Sequence, residues 1–120
     1  DMALSENGEK IAILGLGTDG GLLDVYEIGG REPTATVSLS VGLPETVLFL
    51  TSKNIAVVGE NGALVLQTDG KTLENISFGG KSPVLVAGDE HGFAVALCEK
   101  NMPTGVQMYI WRIFWVKWIS

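Results

Sequence analysis

Asp89-Glu90-His91 sets two carboxylates beside the chain's one histidine. Carboxylate and imidazole together could hold a metal or relay a proton. A metal centre asks for more ligands, and no second His or paired Cys stands in ligand spacing. No metal is therefore expected. The three residues also lie between two apolar runs, where a turn would carry polar side chains anyway. A nucleophilic Ser or Cys would need the same His91 as its base. No Gly-x-Ser-x-Gly elbow occurs to present such a serine. Asp19 and Asp24 lack the alternating carboxylates of a calcium loop. No catalytic residue is assigned, and the chain is not read as an enzyme.

Two glycine motifs point toward phosphate chemistry. Gly15-Leu-Gly17-Thr-Asp-Gly20 matches the dinucleotide fingerprint Gly-x-Gly-x-x-Gly after an apolar run. That fingerprint must open a helix whose N-terminus takes the pyrophosphate. Residues 21–30 are too short and strand-like for that. Gly79-Gly80-Lys81-Ser82 resembles the end of a phosphate loop, but Asn75 stands where its first glycine belongs and Pro83 follows directly. Both segments read as turns, and no cofactor is expected. Cys98 is the single cysteine, so no intrachain disulfide can form. Within its apolar run it reads as a small buried hydrophobe. Asn75-Ile-Ser77 is a formal glycosylation sequon, meaningful only on a eukaryotic secretory route.

The segment Tyr109 to Ser120 is the chemical outlier. Residues 105–120 hold no acid, two bases and all three tryptophans, for a charge of +2, whereas residues 1–104 carry −8. As a helix, Trp111, Phe114, Trp115 and Trp118 would share one face. As a strand, the segment is apolar on both faces and needs a covering layer. It can close the last sheet, form a partner-binding or oligomerising edge, or lie at a membrane interface. An exposed version would aggregate, so something should cover it. Trp111, Phe114, Trp115 and Trp118 are the expected partner-binding residues.

The elements that position these residues follow from a repeat. Lys10-Ile-Ala-Ile-Leu-Gly15, Asn54-Ile-Ala-Val-Val-Gly59 and Gly92-Phe-Ala-Val-Ala-Leu97 place Ala12, Ala56 and Ala94 in register, 44 and 38 residues apart. A repeat of about 40 residues made of short strands matches a β-propeller blade. Asn7-Gly8, Asp19-Gly20, Asn61-Gly62 and Asp69-Gly70 supply tight hairpin turns. Strands are expected over residues 2–5, 10–16, 21–28 and 34–40 in the first unit. The second has 45–50, 54–59, 62–68 and 71–78. The third has 83–87, 92–99, 105–112 and 113–119. The second strand of each unit reads as buried on both faces, and the fourth as outer and more polar.

Residues 2–112, with the hairpin Ala3-Leu-Ser-Glu-Asn-Gly-Glu-Lys-Ile-Ala-Ile13, resemble WD40-like and TolB-like propellers. The Trp-Asp and Gly-His dipeptides of strict WD40 repeats are absent. The first unit is also similar to a bacterial membrane-anchored propeller family. That resemblance implies an extracytoplasmic domain behind an N-terminal membrane helix. The expected fold is all-β: about three four-stranded antiparallel propeller-like blades over 1–43, 44–80 and 81–120. Propellers close with roughly four to eight blades. The expectation is therefore a partial propeller or half of a dimeric ring. The start at Asp1 rather than Met fits a piece of something larger.

With 46% hydrophobic residues the 120-residue chain can bury a core. No secretory signal pattern is visible, and no apolar run reaches the roughly 18 residues of a membrane helix. A net charge of −6 argues against nucleic acid. The expected function is a non-enzymatic binding or scaffold domain with a protein partner or self-association. Candidate contact loops are Gly17–Gly20 and Glu60–Gly62. The alternatives are part of a propeller enzyme whose catalytic blades lie elsewhere, or a membrane-surface module using the aromatic tail.

Overall fold

A computed structural model of the chain describes residues 1–17, 20–89, 92–99, 106–112 and 115–119, with side chains over 1–17, 20–88 and 92–97. Strands follow in the order β1 (Met2–Leu4), β2 (Lys10–Gly17), β3 (Gly20–Glu27) and β4 (Ala35–Ser38). Next come β5 (Pro44–Phe49), β6 (Asn54–Gly59), β7 (Gly62–Gln67) and β8 (Thr72–Ser77). The last are β9 (Lys81–Asp89), β10 (Gly92–Glu99), β11 (Val106–Arg112) and β12 (Trp115–Ile119). No helix occurs among the described residues. The protein is all-β.

Strands β1 to β4 form one antiparallel sheet and β5 to β8 a second, each in chain order. A third ladder joins β9 to β10, extended by β11 and β12 in the order β12-β11-β10-β9. The expected strand positions hold to within a few residues at each end. Pro44 opens the edge strand β5 and Pro83 sits in the edge strand β9, where a missing N–H costs no ladder bond.

The turns follow the Asn-Gly and Asp-Gly rule with one departure. Gly8, Gly20 and Gly70 take φ of 72°, 128° and 95°. Neither Asn61 nor Gly62 has a positive φ. Gly62 serves a different need, because a Cβ there would collide with the carbonyl oxygen of Ile76. The turn is held instead by Asn61, whose N–H donates to Val41 O (2.9 Å) and whose carbonyl accepts from Phe78 N (3.0 Å).

The sheets stack face to face, with the second in the middle. Side chains alternate across a strand. Ile55 and Val57 of β6 and Leu64 and Leu66 of β7 therefore pack with Ala12, Leu14, Leu23 and Val25 of the first sheet. The alternate residues Ala56, Val58, Ala63 and Val65 pack with Phe93, Val95 and Leu97 of the third. The backbones of successive sheets come closest where β5 passes β1 and β2 and where β9 passes β5 and β6.

This stacking corrects one expectation. Among the described residues, β6 in the middle layer has its side chains buried on both faces, and β10 does so except at Ala94. In β2, Ala12 and Leu14 are buried, while Ile13 on the other face is 41% exposed. The reason is that the first sheet has a single neighbour. On the face of β10 turned away from the second sheet, Ala94 is half-buried and Ala96 is buried. The fourth strands β4 and β8 are exposed and alternating, as expected.

Leu66 is fully buried in the core between the first two sheets. Leu66→Ala should lower the unfolding free energy by about 2–5 kcal/mol. Leu73→Ala, at an exposed position of β8, should change it by less than about 1 kcal/mol. Urea denaturation of both variants checks the pair.

Candidate functional site

Hairpin connections alternate between two ends of the sheets. At one end the β1–β2 turn lies beside the β5–β6 turn. Ser5 organises the first of these and is buried. Its Oγ donates to Asn7 Oδ1 (2.7 Å) and accepts from the Lys10 N–H (3.0 Å). Asn7 Oδ1 also accepts from the Glu9 N–H at 3.1 Å. Thr51 organises the second turn, its Oγ1 accepting from the N–H groups of Lys53 and Asn54 at 3.1 Å each. Short polar side chains stabilise such turns by pairing with nearby backbone.

Between the two turns lies a shallow cavity of about 340 Å³ lined by Glu6, Asn7, Thr51 and Ser52. It offers one carboxylate, one amide and two hydroxyls. Such a set can hydrogen-bond a polar ligand or a peptide backbone. Lys10 Nζ donates to Thr68 Oγ1 (3.2 Å) and ties the first sheet to the second nearby. The Ser-Glu-Asn-Gly wording of the first turn was visible in sequence. Its juxtaposition with Thr51-Ser52 was not, because stacking of two sheets brings them together.

At the opposite end, the expected contact loops are largely engaged in structure. Gly17 and Gly20 close the β2–β3 hairpin, with residues 18 and 19 outside the described set. Glu60 Oε1 accepts from the Leu43 N–H (3.0 Å), and the Glu60 N–H donates to Leu43 O (3.0 Å). The chain after Gly20 is a strand, so the dinucleotide fingerprint has no helix to open. Gly79 and Gly80, at φ of 61° and 84°, turn the chain from β8 into β9. No helix follows them, and the phosphate-loop likeness is a turn between sheets.

Asp89 ends β9 opposite Gly92. Glu90 and His91 lie outside the described residues. Among the described residues, no group of three His, Cys, Asp or Glu side chains could hold a metal. Cys98 pairs through its backbone with Ser82 and Val106. Trp111 lies in β11, and Trp115 and Trp118 lie in β12, while Phe114 is outside the described residues. The ladder sets Trp111 opposite Phe93 and Val116, Trp115 opposite Arg112, and Trp118 opposite Tyr109. At Trp111, Trp115 and Trp118 the backbone is extended and laddered, so these three do not share a helical face. No described helix is long and apolar enough to cross a membrane.

No family model and no curated protein matches the chain. The functional reading therefore rests on its own geometry.

Ser5→Ala removes both a donor and an acceptor from a buried position. It should destabilise the protein by about 1–3 kcal/mol. Thermal unfolding of Ser5→Ala against Glu6→Ala, which only edges the cavity, would reveal the difference.

Proposed function

We propose that the chain is a non-enzymatic binding or scaffold domain of propeller type. Its contact edge is formed by Trp111, Phe114, Trp115 and Trp118. The blade reading is supported by sheets that stack face to face and approach most closely along their first strands. Blades arranged around an axis do the same.

One observation carries the contact edge. In the order β12-β11-β10-β9, the strand β12 has a ladder neighbour on one side, β11. An edge strand offers a row of N–H and C=O groups to another chain. Tryptophan is enriched where proteins bind each other, since it buries a large ring at low entropic cost. The absence of acids in residues 105–120 adds a weakly basic character that suits an acidic partner. A membrane-surface role for the same residues is the competing outcome.

The three tryptophans, all between residues 111 and 118, are the chain's only indole reporters. Acrylamide quenching of their fluorescence can be followed with rising concentration of the chain, beside light scattering. It is then repeated with phosphatidylcholine–phosphatidylglycerol vesicles. Protein contact predicts indoles protected in step with mass, and no change on adding vesicles. Quenching that ignores concentration, with a blue shift on vesicles, would give the edge to a membrane and overturn this reading.

A further inference from the structure

Among the described residues, nothing packs on the outer face of the first sheet. By ladder register it carries Met2 and Leu4 on β1, Ile11 and Ile13 on β2, and Asp24 and Tyr26 on β3. Met2 is 67% exposed and Leu4 60%. A shallow depression of about 210 Å³ continues the patch past Ile11, Ile13, Tyr26 and Ile28. Exposed large apolar groups in one contiguous patch mark an interaction surface.

The register says what kind of surface it is. Leu4 lies opposite Ile11 as Phe49 lies opposite Ile55. Met2 lies opposite Ile13 as Val47 lies opposite Val57. On the next strand, Asp24 and Tyr26 correspond to Leu64 and Leu66. Position by position, this is the face that the second sheet buries against the first. The third sheet repeats it with Phe93 and Val95, buried against the second.

The complementary face is exposed in part, at the other end of the stack: Ala87 is exposed, Ala94 half-buried and Ala96 buried. The first sheet presents Ala12 and Leu14 to the second, and the second presents Ala56 and Val58 to the third. The matching positions on the third sheet are Ala94 and Ala96, with Ala87 and Leu85 beside them on β9. Leu85 is 73% exposed. Among the described residues, one kind of interface is thus made twice, with a matching half left at least partly exposed at each side.

We infer that the exposed face of the first sheet binds the matching face of the third sheet of a second copy of this chain. The proposal rests on the binding-domain reading and deepens its self-association arm. Charge favours this pairing over two first sheets meeting each other. Residues 1–43 hold seven acids and two bases, a net −5, whereas residues 81–120 hold three acids and four bases, a net +1. Head-to-tail contact brings opposite signs together, and head-to-head contact sets like charges against each other. Two copies joined this way use both faces and close as a ring of six sheets. A heterologous contact that did not close would give a filament.

Two substitutions test it. Ile13→Lys places a cation on the first face, next to Asp24 across the ladder, so the folded monomer tolerates it. Ala87→Glu places an anion on the exposed matching face of β9. Light scattering on a sizing column should give the unmodified chain about twice its 12.7 kDa. Each variant alone should associate at least about thirtyfold more weakly, since an unpaired charge is buried at each contact. An equimolar mixture should recover the dimer, with the introduced cation and anion paired at one contact and the other contact unmodified. Circular dichroism shows that each variant is folded. Higher multiples of the mass, lost in either variant, support the same contact without closure.

A monomer at every concentration overturns the proposal and leaves the face to another part of a longer polypeptide or another protein. Dimers lost with Ile13→Lys but kept with Ala87→Glu overturn it in favour of two first sheets facing each other. Dimers kept in both variants and lost with Trp115→Ser and Trp118→Ser overturn it too, while the aromatic contact edge of the preceding section survives.

Discussion

The fold depends on a sheet that must be apolar on both faces. Ile55, Ala56, Val57 and Val58 are all fully buried, as are Ala63, Val65 and Leu66, with Leu64 nearly so. Alternate members of this block belong to different cores. A slip of one residue in β6 or β7 would exchange the two sets, placing Ala where Ile and Leu are needed. Size, rather than polarity, fixes the register here. The larger Ile, Val and Leu side chains pack against Ala12, Leu14, Leu23 and Val25 of the first sheet. The smaller Ala and Val positions leave room for Phe93 and Phe78. The outer sheets are held through this layer, each by one face.

Most of the strand pattern was legible in the residues. Short β-branched runs between Asn-Gly and Asp-Gly pairs could be little else. The departure at Asn61-Gly62 has a local cause. The close carbonyl of Ile76 demands a residue without Cβ, and the same dipeptide would have satisfied a positive-φ turn. Composition does not distinguish these two uses of glycine. The in-register alanines were legible as a repeat, yet their burial was not. Ala12 and Ala56 face a neighbouring sheet while Ala94 faces outward, a difference set by position in the stack and not by any nearby residue.

The candidate site was less legible, for a related reason. Polar groups in several described turns already serve the backbone. Asp69 Oδ1 caps the Lys71 N–H (2.9 Å), and Glu60 holds the link to β5. Glu6, Asn7, Thr51 and Ser52 come together only because two sheets stack. Nothing local to either turn announces the other. The aromatic segment stood out by composition alone. Its helical spacing was a coincidence of an apolar strand, since a run rich in large side chains satisfies several periodicities at once.

Every described ladder joins strands adjacent in the chain. Local pairing of this kind lowers the loop-closure entropy that slows most β proteins. The first sheet is complete in backbone terms once Ser38 has left the ribosome. Its inward residues then wait for the facing side chains of β5 to β7, which end at Gln67. At synthesis rates of roughly 5–20 residues per second, that interval lasts on the order of seconds. During it Ala12, Leu14, Leu23 and Val25 meet water or a chaperone, so nascent chains on neighbouring ribosomes are at their stickiest between the exit of Ser38 and that of Gln67.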